Sequence, residues 1–259
     1  MRWDPAQYSR FAAERDRPFF DLTSRIEASP HHVVDLGCGQ GHQTATLAAR
    51  WPDAIIQGID SSQEMISDAL QMVESGVAPG VSFSVGDIAA WQPASDVDVI
   101  VSNAALHWLP DHQDLMAEWA SALPTGGWLA VQVPGSFTSP SHVLMRELAA
   151  QPPWGSKLEA VVHQKLAIGT PESYAELLLG AGMTADVWET TYVHVLQGED
   201  AVLEWMKGTG LRPILAALSP DEAGEYAAKL AAGLRKAYPQ GPYGTLYPFR
   251  RVFAVGRKG

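Results

Sequence analysis

The sequence predicts a doubly wound α/β chain, with a mainly parallel seven-stranded sheet and a mostly helical cap. Three observations predict it. The apolar run Val33-Val34-Asp35-Leu36 breaks into Gly37-Cys38-Gly39-Gln40-Gly41 and then turns polar and helix-like at His42-Gln43-Thr44. That is the pattern of a buried parallel strand, a tight turn and a helix start. Five such strand-to-helix units follow one another, which argues for parallel strands joined by crossover helices. Finally, an acid stands at the end of each of the first three apolar runs: Asp35, Asp60 and Asp87. In open α/β sheets, ligands bind outside those carboxyl ends.

Taken in order, Asp4-Pro5 reads as a helix cap opening an amphipathic segment that runs to Ile26. After the first strand a helix is expected over 41–50, stopping before Pro52. Residues 54–60 are the second strand. Ser61-Ser62-Gln63-Glu64 then starts a helix of capping type, with Met65, Ile66, Ala69, Leu70 and Val73 on its core face. Residues 81–85 alternate as a third strand, and 97–101 form a fourth. The exit of the fourth strand, from Ser102 to Pro110, gathers Asn103, His107 and Trp108 in one loop. A helix over 111–123 and a glycine turn lead to a fifth strand over 128–133. From 135 to 183 there are prolines and short helical runs but no clear strand. Residues 186–196 and 249–255 read as an antiparallel edge pair, with helices over 200–206 and 221–238 between them. The organisation predicted is a helical lid over 1–30, a ligand-binding core over 31–134 and a cap over 135–185. The last two strands occupy 186–259, with a helical insertion over 198–240.

The glycine turn also excludes chemistry. A dinucleotide fingerprint needs a glycine where His42 stands, and a phosphate loop needs a lysine after its last glycine. Asp35 would repel a pyrophosphate but suits a ligand carrying an ammonium group, such as adenosylmethionine. Asp60 is placed to accept both hydroxyls of a ribose. The net charge of −11 over 259 residues argues against a nucleic-acid partner. One cysteine, Cys38, points to a reducing compartment and a cytoplasmic protein. No apolar run approaches bilayer length, and no signal peptide is visible at the start. The histidines lack metal-ligand spacing.

With those residues set out, the chain resembles the class I S-adenosylmethionine-dependent methyltransferases over its first 133 residues, which implies a Rossmann-like methyltransferase sheet. Over almost its whole length it is similar to the trans-aconitate methyltransferases. The likeness is carried by Trp3-Asp4-Pro5, residues 15–19, the glycine turn, Gly58-Ile59-Asp60-Ser61-Ser62 and Leu106-His107-Trp108-Leu109-Pro110-Asp111-His112. It continues through residues 142–147, Thr190-Thr191-Tyr192, Thr209-Gly210-Leu211-Arg212-Pro213 and residues 249–253. In that family a proline follows the second glycine of the turn. Gln40 stands there in this chain, and either residue fits a turn.

The resemblance implies monomethylation of a small tricarboxylate, trans-aconitate, with S-adenosylmethionine as cofactor and S-adenosylhomocysteine as product. Asp35, Gly37 and Gly39 match positions that hold the methionine end. Asp60 matches the ribose ligand, Asp87 with Ile88 the adenine contact, and Asn103 the loop beneath the sulfonium, with Ser61 as a further cofactor-binding residue. A carboxylate nucleophile, with a reference pKa near ~4, is already ionised and needs no general base. The site must orient it, which can lower a barrier by roughly 7–11 kcal/mol. Bidentate arginine suits the remaining carboxylates. The candidates are Arg212, Arg17, Arg146 and Arg250, with Tyr8, His107, Tyr192 and Tyr247 as hydrogen-bond partners. A solvated surface role remains the alternative for each arginine. Arg212 ranks first, because a Gly-x-Gly-Leu-Arg-Pro-like loop presents it rigidly.

Other readings stay open at this point. A carrier-bound malonyl thioester or a fatty acid could be the acceptor, given a basic docking face or an apolar tunnel. A nucleotide-dependent oxidoreductase is disfavoured by the missing glycine. A non-catalytic adenosyl-binding module would not need the aromatic and arginine residues of the cap. The oligomeric state is not legible.

Overall fold

A computed structural model describes residues 12–162 and 168–259. The Asp4-Pro5 cap and Tyr8 lie outside the described residues. The described chain opens with helix α1 (Ala12–Thr23) and continues β1 (His32–Leu36), α2 (His42–Arg50), β2 (Ile55–Asp60), α3 (Gln63–Glu74) and β3 (Val81–Val85). Next come β4 (Val99–Asn103), α4 (His112–Ala122), β5 (Trp128–Pro134), α5 (Pro140–Ala149), α6 (Gly155–Val162) and α7 (Pro171–Gly180). The remainder is β6 (Asp186–Leu196), α8 (Ala201–Lys207), α9 (Arg212–Ala216), α10 (Pro220–Ala237), β7 (Gln240–Gly241) and β8 (Gly244–Arg257).

The strand order is β3-β2-β1-β4-β5-β8-β6, with the two-residue β7 paired to β8 alone. Pairs β1–β2, β1–β4, β2–β3 and β4–β5 are parallel. The order therefore turns back between β1 and β4, the place where a doubly wound sheet opens a crevice at its strand ends. The last strand enters reversed, since Gly126 N–H donates to Lys258 O (3.0 Å) and Lys258 N–H to Gly127 O (2.8 Å). The 183–184 end of the edge segment pairs antiparallel with the end of β8 through Met183–Lys258 and a 2.8 Å bond from Thr184 N–H to Arg257 O. This is the seven-stranded, doubly wound sheet that the sequence predicts.

The chain divides into two compact units. One holds 16–134, the described part of 167–189, and 252–259. Its core joins Val34, Leu36, Ile100, Leu129 and Val131 of the central strands to Met116 and Trp119 of α4. The strands covered on both faces read as continuous apolar runs for that reason. The other unit holds 12–15, 135–162 and 190–251 among its described residues. Its aromatic core is built on Trp154, Trp205, Tyr226, Tyr247 and Phe249, and α10 is tied to α5 by Tyr226 Oη donating to Met145 O at 2.6 Å.

Several boundaries differ from expectation, among them the start of β8, which lies at Gly244 rather than at 249. The predicted cap over 135–185 stops short, because 168–185 belong to the sheet unit. Tyr174 and Leu178 of α7 are fully buried among residues of α4. His112 Nδ1 donates to Leu109 O (3.0 Å), so its Nε2 accepts from Tyr174 O–H (2.7 Å), and Tyr174 Oη accepts from Gly169 N–H (3.2 Å). Burial lowers the His112 pKa and keeps the ring neutral for this arrangement. A helix without an obvious neighbour in sequence gives no sign of such a partner. The fourth strand also runs later than 97–101. Ser102 and Asn103 look like a loop, but Ser102 Oγ donates to Leu36 O at 2.7 Å and Asn103 pairs with Gln132.

Tyr174→Phe should destabilise the protein by about 1–3 kcal/mol, because it strands His112 Nε2 and Gly169 N–H together. Urea unfolding followed by tryptophan fluorescence measures this, and a change under about 0.5 kcal/mol would count as a surface effect.

Candidate functional site

The glycine turn sits at the carboxyl end of β1 with all three glycines at positive φ: 83° at Gly37, 55° at Gly39 and 79° at Gly41. Their reasons differ. A Cβ on Gly37 would lie 2.1 Å from Ala105 Cβ, and one on Gly41 would lie 2.5 Å from the Phe83 ring. These two glycines let protein segments close on each other. Above Gly39 nothing comes within 4 Å, so its backbone is open to approach. The turn is fixed by Gly37 N–H and Cys38 N–H, both donating to Ile59 O at 2.7 and 3.1 Å. Cys38 packs beneath it, and burial, then Asp35 and Asp60, push its thiol pKa up, so it stays an inert thiol.

The three acids occupy the ends that the sequence assigns them, in three different environments. Asp35 is buried, and its Oδ2 accepts from Thr44 O–H at 2.7 Å. Burial raises its pKa to about 7. Thr44 pulls it down and the Asp60 charge adds to the rise. Asp60 closes β2 half-buried, with Oδ2 accepting from Gly39 N–H (3.0 Å) and Oδ1 from Ser62 N–H (2.9 Å). Each of its oxygens keeps capacity for one more donor. Asp87 follows β3 at an exposed position, its Oδ1 bonded to Ala89 N–H at 2.9 Å, beside the half-buried Ile88. Ser61 is exposed next to Asp60.

At the end of β4, Ala104 takes a left-handed φ of 56°. Such a φ is uncommon for alanine. That bend carries Ala105 over Gly37. Asn103 Nδ2 donates to Gln43 Oε1 at 2.9 Å, and Gln43 Nε2 donates to Asp16 Oδ1 at 3.0 Å. Asn103 Oδ1 is buried with no hydrogen-bond partner among the described residues. His107 is buried, its ring 4.7 Å from that of Trp108. The glycine turn, Asp35, Asp60, Asp87, Ile88, Asn103 and His107 thus lie on neighbouring strand ends of one unit. Arg17 is exposed on α1 in the same unit.

The remaining candidates belong to the second unit. Arg146, half-buried on α5, lies near His142, whose pKa falls to about 4 through burial first and the Arg146 charge second. His142 Nε2 lies 3.5 Å from where a Cβ on Gly210 would be, so the loop carrying Arg212 lies against α5. Arg212 opens α9 with Pro213 behind it, and its backbone N–H bonds to Thr209 O at 3.1 Å. Arg250 Nη1 donates to Gly135 O at 3.1 Å. Tyr247 is fully buried, its hydroxyl 3.1 Å from Ser141 Oγ. Tyr192 is buried and stacked at 6.3 Å on His194.

Sequence reasoning passed over Thr44, Gln43 and Asp16. Helix periodicity from Gly41 could have found Thr44, since the third position of a helix that starts at a strand end faces back toward it. Nothing local marks Asp16, which meets Gln43 only through the fold. The set fits a ligand with a cationic amine, a ribose and an electron-poor centre. A buried carboxylate suits an amine, a backbone without Cβ admits close approach, and half-satisfied oxygens can accept hydroxyls. Among the described residues no three His, Cys, Asp or Glu side chains cluster as a metal site.

Residues 33–127 match a family described as a methyltransferase domain. A trans-aconitate 2-methyltransferase of Streptomyces coelicolor is 50% identical, over 99% of this chain and 86% of that protein. One from Streptomyces avermitilis is 48% identical, over 99% of this chain and 97% of its own length. The solved structure of Haemonchus contortus phosphoethanolamine N-methyltransferase 2, in complex with phosphomonomethylethanolamine and S-adenosylhomocysteine, has the same fold. It aligns with a TM-score of 0.55 at 15% identity, covering 93% of this chain and 52% of that one.

The Asp35 environment sets a pH dependence. Its native pKa of about 7 lies above the usual 3.8, so the native state holds a proton that the unfolded chain releases between those values. Its contribution to stability is therefore greatest at acid pH, falls as pH rises through that window, and levels off above about 7. Thermal melts of the ligand-free protein should show this decline between pH 5 and 7.5, and Asp35→Asn should flatten it. An unchanged slope in the variant would place the titration elsewhere.

Proposed function

The chain belongs to the trans-aconitate 2-methyltransferase family, and on that premise we infer how its own residues perform the transfer. The protein moves a methyl group from S-adenosylmethionine to a carboxylate oxygen of trans-aconitate, giving a monomethyl ester. The observation that carries the reading is the buried carboxylate of Asp35 beside an open glycine backbone at the end of β1. An acid there is costly unless a cation joins it, and the amino group of the cofactor is such a cation.

When bound, S-adenosylmethionine supplies an electrophilic methyl on a sulfonium. Asp35 holds the ammonium end, Gly37 lets the exit of β4 close beside it, and Gly39 leaves room for it. The two oxygens of Asp60, each carrying one backbone donor, accept the ribose hydroxyls, with Ser61 beside them. Asp87 and Ile88 take the adenine, one by hydrogen bonding and the other by apolar contact. Asn103 lies at the reacting end. The acceptor carboxylate is ionised at neutral pH, so no residue is needed as a base. His107 acts as an orienting group, in keeping with its buried position against Trp108.

The other two carboxylates of the acceptor are assigned to arginine. Arg212 leads, on a loop stiffened by Pro213 and by its own backbone bond. Arg146 is second, because the neighbouring His142 stays neutral and adds no competing cation. Arg17 and Arg250 follow, and Arg250 already gives one N–H to Gly135 O. Tyr192 and Tyr247 are the proposed hydrogen-bond partners, Tyr247 through a hydroxyl shared with Ser141. A protein of net charge −11 needs such a local basic set to hold a trianion, and the same charge gives no footing to nucleic acid. The reduced, buried Cys38 suits a cytoplasmic setting.

The test is incubation with labelled S-adenosylmethionine and a panel of trans-aconitate, cis-aconitate, citrate, isocitrate and a medium-chain fatty acid. Base-labile methyl ester is the readout. Label is expected mainly on trans-aconitate, and label mainly on the fatty acid would overturn the acceptor assignment. Arg212→Ala should raise KM for trans-aconitate roughly tenfold to a hundredfold, the scale of one charged hydrogen-bonded pair. Its dissociation constant for the cofactor, from calorimetry, should stay unchanged. Asp35→Asn should do the reverse and weaken cofactor binding first.

A further inference from the structure

We propose that Gln43, held by Asp16, is a positioning residue that fixes which end of the Asn103 side-chain amide faces the reacting methyl. The proposal rests on the reading above that Asn103 lies at the reacting end of the cofactor site. It goes beyond that reading by assigning roles to two residues outside the proposed ligand set.

An asparagine amide has two nearly isosteric ends of opposite polarity, one accepting and one donating. Which end faces a ligand is decided by what holds the other. Here the decision is made two residues away. Asp16 is a carboxylate and only accepts, so Gln43 must give it Nε2–H, as it does at 3.0 Å. Gln43 then has its carbonyl oxygen toward Asn103, and Asn103 must give it Nδ2–H, as it does at 2.9 Å. The remaining end of Asn103, Oδ1, is buried and has no hydrogen-bond partner among the described residues. A buried carbonyl oxygen without a partner is a cost that folded proteins rarely leave standing without a use.

Polarity supplies the use. An electron-poor methyl on a sulfonium is attracted to a carbonyl oxygen, by charge and by weak C–H···O contact. It would be repelled by N–H donors in the same place. The relay Asp16–Gln43–Asn103 therefore converts a fixed negative charge on α1 into a fixed acceptor at the end of β4. Each link belongs to a different element, so the seating of α1 governs the amide that meets the methyl.

The experiment reverses the polarity without breaking the chain. Gln43→Lys keeps a bond to Asp16 but offers only donors, so Asn103 must turn Oδ1 toward it and N–H toward the ligand. This variant is expected to lose about tenfold or more in kcat, in line with loss of one preorganised polar contact. It should bind S-adenosylmethionine more weakly while its affinity for S-adenosylhomocysteine, which lacks the methyl and its charge, stays within about twofold. Should Gln43→Lys not fold, Asp16→Lys makes the same reversal from the other end. The double variant Asp16→Asn/Gln43→Glu rebuilds the original polarity, with a donor at 16 and an acceptor at 43. It should return kcat and the affinity ratio to within about threefold of the parent protein. A polarity-reversed variant with unchanged kcat and unchanged ratio overturns the proposal, and so does a double variant as slow as the reversed one. Both affinities are measured by calorimetry with no acceptor present. Failure to methylate any acid would thus overturn the functional reading alone, whereas a constant affinity ratio would overturn this one alone.

Discussion

A carboxylate buried at the carboxyl end of the central strand organises the rest of the site. Asp35 is enclosed, has Thr44 on one oxygen, and is pushed by burial to a pKa of about 7. An acid in that state is a standing cost to the ligand-free fold and a gain once a cation arrives. The glycine turn exists around it. Gly37 and Gly41 let Ala105 and Phe83 close the walls, while Gly39 alone keeps its Cα open. The same three-glycine spelling therefore serves two purposes, close packing at Gly37 and Gly41 and an open backbone at Gly39.

The second organising feature is the exit of β4. The left-handed Ala104 bends the chain so that Ala105 meets Gly37, and the same bend ends the strand on Asn103. The loops after β1 and β4 are thereby locked to each other, with Asp35 on one side and Asn103 on the other. The chemistry asks for little more. An ionised acceptor needs orientation and charge neutralisation, and rigid strand ends supply the first at low entropic cost. The second calls for cations, which a chain of net charge −11 must concentrate locally.

Much of this was legible in the residues. The apolar runs are continuous because the strands are covered on both faces, so the succession of five strands and their parallel sense could be read directly. Asp35, Asp60 and Asp87 could be placed because a strand end is a local event. Ser62 caps α3 as its spacing indicated, its Oγ accepting from Met65 N–H at 3.3 Å. What the residues did not disclose are relations between distant segments. The extension of β4 to Asn103 depends on bonds to neighbouring strands. The place of α7 in the sheet unit depends on a hydrogen bond between His112 and Tyr174. The burial of Tyr247 and the neutral state of His142 depend on the aromatic core of the second unit.

By itself, then, the sequence determined the doubly wound sheet and the place of the glycine turn at the end of β1. Each of these follows from periodicity and glycine spacing within a short window of chain. Tertiary structure alone decided which glycine stays open, how far Asp35 is desolvated, and which end of Asn103 is committed to Gln43. Those are properties of groups brought together from α1, α2, β1, β2 and β4. Their energies depend on burial and on donor–acceptor polarity, which no local stretch of residues contains.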